Sequence, residues 1–312
     1  MQIAHIVRLA RVRHWVKNAI VLFPVAFGLR LGDWGAWGRA LLAMAAFSLV
    51  SSAIYAFNDV HDRQADRLHP RKRLRPVASG QIGVGQAIGL GIGFLLGGTL
   101  IAAAVNKLVL ALVVGYVLLQ VAYTFWLKQK MLVDVMCIAT GFVLRAAGGA
   151  LAIPVVVSPW LIICTFMLCL FMGFCKRRCE VRTLAEVGQV AGHRQTLSTY
   201  TPELLTHLIT LSAGIAVVSL LLYASSPRTL HQFGTTWLVY TTPIFLYGVG
   251  RFAMLCIVGV YDDPTELILR DRAFQVTVVL WLAAVVAVIF WGAALQGWIA
   301  ELVHVGQAQH AQ

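Results

Sequence analysis

Residues 37–80 read WGRALLAMAAFSLVSSAIYAFNDVHDRQADRLHPRKRLRPVASG and pass abruptly from apolar to charged sequence. The first part, 37–57, is long and apolar enough for a membrane-spanning helix, which needs about 20 such residues. The second part, 58–80, packs three carboxylates and six cations into 23 residues. We interpret it as a functional segment at a membrane surface. The alternative is a solvated loop whose basic residues only fix the topology.

The acidic residues of this segment have helical spacing. Asn58, Asp59, Asp62 and Asp66 stand at i, i+1, i+4 and i+8, so in a helix they share one face. Carboxylates this close repel one another unless a cation lies among them, and a hard divalent ion such as Mg²⁺ can also carry phosphate oxygens. The cations that follow could hold phosphates: Arg63, Arg67, Arg71, Lys72, Arg73 and Arg75. This order of acids and bases predicts a site for a substrate that carries a diphosphate.

Composition places the segment in a membrane protein. Of the 312 residues, 59% are hydrophobic and 12% are charged, and mean hydropathy is +0.79; soluble domains have about 25% charged residues. Nine segments meet the length criterion: roughly 16–31, 37–57, 82–104, 108–127, 132–153, 159–175, 203–224, 235–257 and 273–296. The first is the weakest, because it contains Lys17 and is interrupted by Pro24. We predict an all-α integral membrane protein with about nine transmembrane helices, forming a single polytopic domain over 1–312.

The basic residues predict the orientation. Nineteen of the 25 lysines and arginines lie at the N-terminus or in segments 58–81, 128–131, 176–202 and 258–272, and four lie on the opposite side. The positive-inside rule puts the first group in the cytoplasm, and it accounts for the net charge of +12 without nucleic acid. Eleven of the 13 acids follow the same side, although topology hardly selects for acids. An active site open to the cytoplasm explains that second asymmetry.

The fifth span should carry two charges. Asp134 and Arg145 are eleven residues apart, about three turns, so they share a helix face without touching. A cation at this depth is costly in lipid and should face a cavity or a partner. Arg145 is therefore either a phosphate-binding residue of a cavity wall or half of a structural ion pair with another carboxylate. The motif YTFWLK, from Tyr123 to Lys128, ends the preceding span.

A basic motif, KRRCE, closes the sixth span at residues 176–180. Lys176 and Arg177 could hold phosphate, and Glu180 could bind a metal or a sugar hydroxyl. We expect Lys176 and Glu180 to pair, since they stand at i and i+4. A basic cluster that only marks the end of a membrane span is the alternative.

The last charged segment is YDDPTELILRDR, residues 261–272. Pro264 predicts the start of a short helix there. The acids of this segment either complete the site or lie on an ordinary interfacial helix. Arg251, inside the span before it, suggests another inward-facing cation.

Together these motifs resemble the UbiA superfamily of intramembrane prenyltransferases. NDVHDRQAD, residues 58–66, matches the NDxxDxxxD signature of that superfamily in full. HPRKRLRPVASG, GFVLRAAGGA (141–150), KRRCE and YDDPTELILRDR look more like its decaprenyl-phosphate phosphoribosyltransferase branch. The resemblance covers about residues 8 to 290. The chain departs from aromatic prenyltransferases at KRRCE, where those usually have DxxxD, and added cations there suit a substrate with more phosphate groups.

This resemblance implies Mg²⁺-dependent transfer of 5-phosphoribose from 5-phosphoribosyl 1-diphosphate to a polyprenyl, decaprenyl-type phosphate at a bacterial inner membrane. The product would serve the synthesis of arabinosyl donors for glycan arabinosylation. Asp59, Asp62 and Asp66 would bind the metal, with Asn58 orienting them. The substrate contacts implied in addition are Lys17, Asp66, Arg71, Lys72, Arg73, Arg75, Tyr123, Lys128, Arg145, Lys176, Arg177 and Glu180.

Two other functions share part of the pattern. A UbiA-type prenyltransferase that joins a prenyl diphosphate to an aromatic or lipid acceptor would need the same aspartates, but not KRRCE and the basic run. An organic-anion transporter would place its site near the midplane, often with internal repeats, whereas these charges crowd one side. The expected partners are the polyprenyl phosphate lipid, 5-phosphoribosyl diphosphate and the bilayer. Whether the chain forms a homo-oligomer is left open.

Overall fold

The computed structural model describes residues 3–68, 72–156, 158–187, 200–261 and 264–310, with side chains at all of them except 184–187 and 299–310. Three predicted features lie outside the described residues: Arg71, most of the 181–202 segment, and the pair Asp262 and Asp263. The described residues are helical and contain no strand. The chain divides into two compact units, residues 1–157 and 158–312.

The first unit is built around four long helices. Its elements in chain order are α1 (Ile3–Leu9), a first 3₁₀ helix (Val12–Leu22), α2 (Phe23–Phe27), α3 (Trp34–His61), α4 (Arg63–Leu68), a second 3₁₀ helix (Lys72–Leu74), α5 (Val84–Val105), α6 (Lys107–Phe125), a third 3₁₀ helix (Leu127–Gln129) and α7 (Val133–Ala152). Helix α3 packs against α5, α6, α7 and the first 3₁₀ helix. It is therefore the central element of this unit.

Small residues allow α3 to occupy that position. Its buried face includes Ala36, Ala40, Ala43, Ala46, Ala53 and Ala56. Helix α5 approaches this face through glycines. A Cβ on Gly98 would lie 2.9 Å from the carbonyl oxygen of Ala46, and a Cβ on Gly91 would lie 2.9 Å from the Phe57 ring. The glycine-rich third span is thus a close-packing surface at these two positions.

The second unit also contains four long helices, α8 (Pro159–Val187), α9 (Pro202–Ser225), α11 (Thr242–Val258) and α13 (Arg272–His310). Shorter elements join them: α10 (Pro227–Phe233), a fourth 3₁₀ helix (Trp237–Thr241) and α12 (Pro264–Arg270). Several of these helices begin with proline, whose missing N–H is harmless in the first turn. Thr201 and Ser226 cap α9 and α10 by accepting hydrogen bonds from Leu204 N and Thr229 N.

Within the part of the chain that the structure describes, eight helices are long and apolar enough to cross a membrane: Trp34–His61, Val84–Val105, Lys107–Phe125, Val133–Ala152, Pro159–Thr183, Pro202–Ser225, Trp237–Val258 and Arg272–Trp298. They coincide with the second to ninth predicted spans, so the all-α membrane architecture is confirmed. Three boundaries differ. Helix α3 continues through Asn58 to His61, and α8 continues through KRRCE to Val187, so both motifs begin on helices and not in loops. Helix α13 continues beyond the predicted end at residue 296 to His310. The side of the membrane on which each end lies remains a prediction.

The first predicted span, 16–31, is not one α-helix. Its residues belong to the first 3₁₀ helix and then to α2, which has Pro24 in its first turn. Proline cannot donate the backbone hydrogen bond that an α-helix continuing through this point would need. Arg11 and Leu29 have positive φ, at 50° and 56°, on either side of the segment.

This first segment nevertheless runs antiparallel along α3. Trp15 Nε1 donates to Ser52 Oγ at 3.1 Å, and Asn18 Nδ2 donates to Ser48 Oγ at 2.9 Å. Near the other end of α3, Trp37 Nε1 donates to the Leu31 carbonyl at 2.9 Å. A 3₁₀ helix rises about 2.0 Å per residue, so the segment with α2 covers about 30 Å, the thickness of a bilayer core. The segment is therefore long enough for the expected crossing, which stays a prediction because the described helices that qualify as membrane spans begin at Trp34.

Candidate active site

A cluster of charges surrounds the C-terminal end of α3. Asp59, in the last turns of α3, is 1% exposed, and Asp66, in α4, is 3% exposed. Arg75 places Nη1 2.7 Å from Asp66 Oδ2 and 3.3 Å from Asp59 Oδ1. One guanidinium nitrogen is thus shared by two buried carboxylates. Asp59 and Asp66 therefore lie close together, but on two helices, because α3 ends at His61 and α4 begins at Arg63. The single helix face predicted for residues 58–66 is interrupted at Asp62.

Arg11 belongs to this cluster and was missed by the sequence analysis, which counted it only toward topology. Its Nη2 lies 2.5 Å from Asp59 Oδ1, and its guanidinium lies 4.5 Å from the centre of the Tyr55 ring. The positive φ of Arg11 is an uncommon conformation outside glycine, of a kind that concentrates at functional sites. The sequence did contain an indication of this contact. If the first span runs antiparallel to the second, Arg11, which precedes the first span, lies near the C-terminal end of the second span, where Asp59 is.

Asn58 and Asp62 occupy the same end of α3. Asn58 Oδ1 accepts a hydrogen bond from Thr124 Oγ1 at 3.3 Å, which ties it to the end of α6. Asp62 follows the last residue of α3 and is half-buried. No described residue donates a hydrogen bond or forms an ion pair with its carboxylate. Asn58 is therefore held in place, whereas Asp62 offers open acceptor capacity.

Tyr123 and Lys128 are placed beside this region by the same helix. Tyr123 precedes Thr124 in α6, Lys128 lies in the third 3₁₀ helix, and both are half-buried. A ring contact between His61 and Phe125, with centroids 5.3 Å apart, also joins the ends of α3 and α6. The YTFWLK motif thus contacts the end of α3 at Asn58 and His61, through Thr124 and Phe125.

The three aspartates do not form a ready metal site. Among the described residues, no group of three or more His, Cys, Asp or Glu side chains has metal-binding geometry. Arg75 and Arg11 instead neutralise Asp59 and Asp66. The donor set still suits a hard divalent cation, because it consists of oxygen ligands and includes the open Asp62 carboxylate. A cation bound by both buried aspartates would have to replace Arg75 between them.

The basic residues predicted around the aspartates occupy different environments. Lys72 and Arg73 are exposed on the second 3₁₀ helix, and Lys17 is exposed on the first. Arg67 donates from Nε to the Ala78 carbonyl at 3.1 Å, so it supports the local chain path. Only Arg75 of the described basic run is bonded to the aspartates.

Arg145 is buried in α7, with 8% exposure. Nη2 donates to the Tyr116 hydroxyl at 2.6 Å, and Nη1 donates to the Gly141 carbonyl at 3.1 Å. The guanidinium also lies 4.6 Å and 5.0 Å from the centres of the Tyr116 and Phe142 rings. No carboxylate of the described residues pairs with it, so the described residues do not show the ion pair that was the alternative. Aromatic rings and one hydroxyl stabilise this charge instead.

In the second unit, KRRCE lies on α8. Arg177 is buried and pairs with Glu180 one turn later, whereas Lys176 is exposed. The expected pair between Lys176 and Glu180 is therefore wrong. Residues three apart on a helix are also neighbours, and here the buried arginine takes the carboxylate.

The inward-facing cation predicted at Arg251 is confirmed by a two-pronged pair with Asp271. Nε lies 2.7 Å from Oδ1 and Nη2 lies 2.8 Å from Oδ2, while Phe274 N donates to Oδ1 at 2.6 Å. The Arg251 guanidinium, helped by the Phe274 N–H and opposed by burial, holds the pKa of the Asp271 carboxyl below its usual range. This pair connects α11 to the start of α13.

The short helix predicted at Pro264 is also present, as α12. Within it, Glu266 and Arg270 form an exposed i, i+4 ion pair at 2.8 Å. Glu266 and Arg270 therefore contact each other, and Asp271 contacts Arg251. Nothing in these contacts distinguishes them from structural charges.

Comparisons with known proteins agree with the motifs. The sequence matches the family described as "UbiA prenyltransferase family" over residues 21–261. A decaprenyl-phosphate phosphoribosyltransferase of Mycobacterium tuberculosis is 32% identical over 297 residues, which cover 93% of this chain and 96% of that protein. One from Corynebacterium glutamicum is 32% identical over 291 residues, covering 91% and 86%. A UbiA homolog from Archaeoglobus fulgidus, solved bound to GPP and Mg²⁺, has a TM-score of 0.68 at 21% identity and covers 91% of this chain and 99% of its own.

The family match includes the aspartate cluster and seven of the eight long apolar helices. The similarity to the Archaeoglobus fulgidus protein concerns the fold, and the two sequence relatives extend it over nearly the whole chain. The resemblance inferred from NDVHDRQAD is therefore confirmed. This chain is a multi-pass membrane transferase that belongs to the UbiA prenyltransferase family.

Proposed function

We propose that this protein transfers 5-phosphoribose from 5-phosphoribosyl 1-diphosphate to a polyprenyl phosphate, with Mg²⁺ as cofactor and diphosphate as the leaving group. The observation that carries the proposal is the 32% identity, over nearly the full length of both chains, to an enzyme named for decaprenyl-phosphate phosphoribosyl transfer. The aspartate cluster supports it. Buried carboxylates beside arginines suit a metal-bound diphosphate.

The metal would be held by residues at the end of α3 and in α4. Asp59, Asp62 and Asp66 are the candidate ligands, and Asn58, oriented by Thr124, completes the oxygen-rich set. Mg²⁺ there would neutralise the charge that develops on the departing diphosphate. The Mg²⁺ bound to the Archaeoglobus fulgidus relative, which shares the fold, supports this choice of cofactor.

Arginines supply the rest of the charge. Arg75 bonds both Asp59 and Asp66 through the single nitrogen Nη1. A diphosphate would instead offer oxygen acceptors to two nitrogens of the planar guanidinium at once, which is the geometry that arginine prefers. Arg11 keeps a second positive charge against Asp59. Lys72, Arg73 and Arg71, which belong to the same basic run, are the candidates for contacts with the outer phosphate oxygens.

The chemical step needs little from the protein as a base. The phosphate oxygen of the lipid is already anionic, so it can attack the anomeric carbon without losing a proton. A bond forms between that oxygen and the ribose, while the bond from the ribose to diphosphate breaks. The protein contributes positioning and electrostatic stabilisation of the leaving group.

The remaining predicted contacts stay part of the proposal. Arg145, Tyr123, Lys128 and Lys17 are candidates for the other phosphate groups. In the second unit, Lys176, Arg177 and Glu180 are further candidates for substrate contacts. We also propose that the charged ends face the cytoplasm of a bacterial cell, and that the product feeds the synthesis of arabinosyl donors for glycan arabinosylation.

A product assay tests the proposal. Membranes with the protein receive labelled 5-phosphoribosyl diphosphate, Mg²⁺ and polyprenyl phosphate. We expect a labelled, solvent-extractable lipid that requires Mg²⁺ and is lost in Asp59→Asn. Asp33→Asn is the matched control, because Asp33 caps the far end of α3 and asparagine caps equally well.

A second donor separates the alternative enzyme. The GPP bound to the Archaeoglobus fulgidus relative makes a prenyl diphosphate the donor to compare. Prenylation of an aromatic or lipid acceptor, with no label transferred from 5-phosphoribosyl diphosphate, would refute phosphoribosyl transfer and leave the family assignment intact.

A further inference from the structure

The N-terminal segment forms a cavity of about 540 Å³ to which the proposed mechanism gives no role. It is lined by Ala4, Val7, Arg8, Arg11, Arg13 and His14. Among the described residues, the lining therefore contains three guanidinium groups and an imidazole, and no acid. Such a concentration of one charge sign raises the local concentration of anions.

Two of these arginines are not neutralised. The side chains of Arg8 and Arg13 are exposed, and neither forms an ion pair or a side-chain hydrogen bond with the described residues. Arg11 differs, because it is bonded to Asp59 and packed on Tyr55. Arg8 and Arg13 thus keep all their donors for a ligand.

The backbone brings these two arginines to one cavity. Residues five apart on an unbroken α-helix point about 140° away from each other. The chain is interrupted between them at Arg11, where φ is +50° and α1 gives way to the first 3₁₀ helix. The turn is held by hydrogen bonds from Arg11 N to the Arg8 carbonyl at 3.2 Å and from His14 N to the Arg11 carbonyl at 2.7 Å. The unusual conformation of Arg11 is thus what allows a shared site.

We propose that this cavity binds a phosphate monoester through Arg8 and Arg13, and that Arg11 connects it to the aspartate cluster. Arginine pairs with phosphate through short, charge-assisted hydrogen bonds, often two at once. Arg11 lines the cavity and lies 2.5 Å from Asp59, so a bound phosphate is one side chain away from the proposed metal ligand.

The inference rests on the proposed function for the identity of the ligand. Both reactants carry a phosphate besides the diphosphate that leaves: the 5-phosphate of the donor and the headgroup of the lipid acceptor. Ala4 and Val7 give the cavity an apolar side, and the nearby Ile3 and Val16 side chains are exposed. A lipid phosphate would contact the arginines with its phosphate and the apolar side with its hydrocarbon chain, whereas a sugar phosphate would contact the arginines alone.

Binding without turnover tests the site. The full chain in nanodiscs, without Mg²⁺, is titrated by calorimetry with ribose 5-phosphate and, separately, with geranylgeranyl phosphate. We expect R8Q/R13Q to weaken binding of at least one probe by about tenfold or more, since hydrogen bonds to charged groups are among the stronger ones. R39Q/K107Q removes the same charge from exposed positions elsewhere in the unit and should leave binding within about twofold, because exposed charges farther away than a Debye length are screened.

Each outcome decides something. Loss for ribose 5-phosphate alone assigns the cavity to the donor, loss for geranylgeranyl phosphate alone assigns it to the acceptor, and loss for both shows that it takes either phosphate. The proposal is overturned if R8Q/R13Q binds both probes like the unaltered protein, if R39Q/K107Q loses as much, or if the unaltered protein binds neither. R8K/R13K keeps the charge and should restore most of the binding, which excludes a misfolded variant as the cause.

The site and the proposed function fail separately. If binding depends on Arg8 and Arg13 but no labelled lipid forms in the product assay, the reaction is wrong and the phosphate site stands. If labelled lipid forms and R8Q/R13Q binds normally, the reaction stands and the site is wrong.

Discussion

In the unit of residues 1–157, Asp59 and Asp66 share a single nitrogen of Arg75. In the unit of residues 158–312, by contrast, Asp271 forms a bidentate ion pair with two nitrogens of Arg251. The shared contacts are unequal, at 2.7 and 3.3 Å, and the paired ones nearly equal, at 2.7 and 2.8 Å. Asp271 gains a backbone donor as well, from Phe274 N at 2.6 Å.

The difference separates an ion pair with matched partners from the proposed binding site. A carboxylate that meets a guanidinium in the fork geometry, with a further N–H donor, has little to gain from another partner. Asp59 and Asp66 share one nitrogen of Arg75, and Arg11 adds a donor to Asp59 alone. Together with the open Asp62, these carboxylates keep unused acceptor capacity. The first arrangement holds helices together, and the second is suited to exchanging an internal cation for a metal.

The largest effect should come from removing one charge of the site. Asp59→Asn should lower the rate of labelled-lipid formation by about 100-fold or more, because an electrostatic group at the leaving diphosphate is lost. Asp271→Asn makes the same change in the structural pair. The rate of labelled-lipid formation per folded molecule should then stay within about threefold of the rate of the unaltered protein, because this substitution removes a structural contact and no group that contacts the substrates. Equal losses in the two variants would mean that the two groups do not differ in function.

The next effect concerns the internal cation. Arg75→Gln should tighten binding of Mn²⁺, an oxygen-seeking substitute for Mg²⁺, by about tenfold in the absence of phosphate ligands, because a competing charge leaves Asp59 and Asp66. Electron paramagnetic resonance of free Mn²⁺ gives the affinity directly. Lys130→Gln removes an exposed cation from the described loop between α6 and α7 and serves as control. Unchanged or weaker binding in Arg75→Gln would show that Arg75 does not stand where the metal binds.

The sequence predicted most of the architecture, because long apolar runs determine it. Eight of the nine spans were placed within a few residues, apart from the ends of α8 and α13. Hydropathy reports where the membrane ends and not where helical hydrogen bonding ends, so it missed the continuation of α8 through KRRCE. It also could not distinguish an α-helix from the 3₁₀ segment before Pro24, whose shape follows from bonds to Ser48 and Ser52 on α3.

Contacts between residues close in the sequence were predicted, whereas contacts between residues far apart in the sequence were not. Asp59 and Asp66 were placed together from their separation along a helix, and both meet at Arg75. Arg11 was not found, because it lies 48 residues from Asp59 and only the antiparallel path of the first segment joins them. Arg145 was recognised as buried, but its aromatic partners on α6 and α7 could not be read from sequence.

A smaller effect is expected on stability. Asp271→Asn should lower the Tm of the protein in detergent by about 5 °C, since one well-matched ion pair linking α11 and α13 is lost while Phe274 N keeps an acceptor. Asp33→Asn keeps the helix cap and should change Tm by less than about 2 °C. If Asp271→Asn has the same Tm as the unaltered protein, the Asp271–Arg251 pair does not stabilise the second unit. The contrast between a structural ion pair and the aspartate cluster would then be wrong.

The smallest effect is the pH dependence of that loss. The pKa of Asp271 is lowered in the folded protein, chiefly by its hydrogen bonds from Arg251. A lowered carboxyl pKa adds stability that is fully present above the unfolded value, about 3.9, and disappears as pH falls through the folded value. The Tm difference between the unaltered protein and Asp271→Asn should therefore be constant from pH 7 to 5 and shrink below about pH 4. Asp33, whose pKa is lowered mainly by the Ala36 N–H, titrates alike in both proteins and cancels in the difference. A difference that persists unchanged at pH 2.5 would show that the charge of Asp271 contributes nothing, and that its shape alone holds α11 to α13.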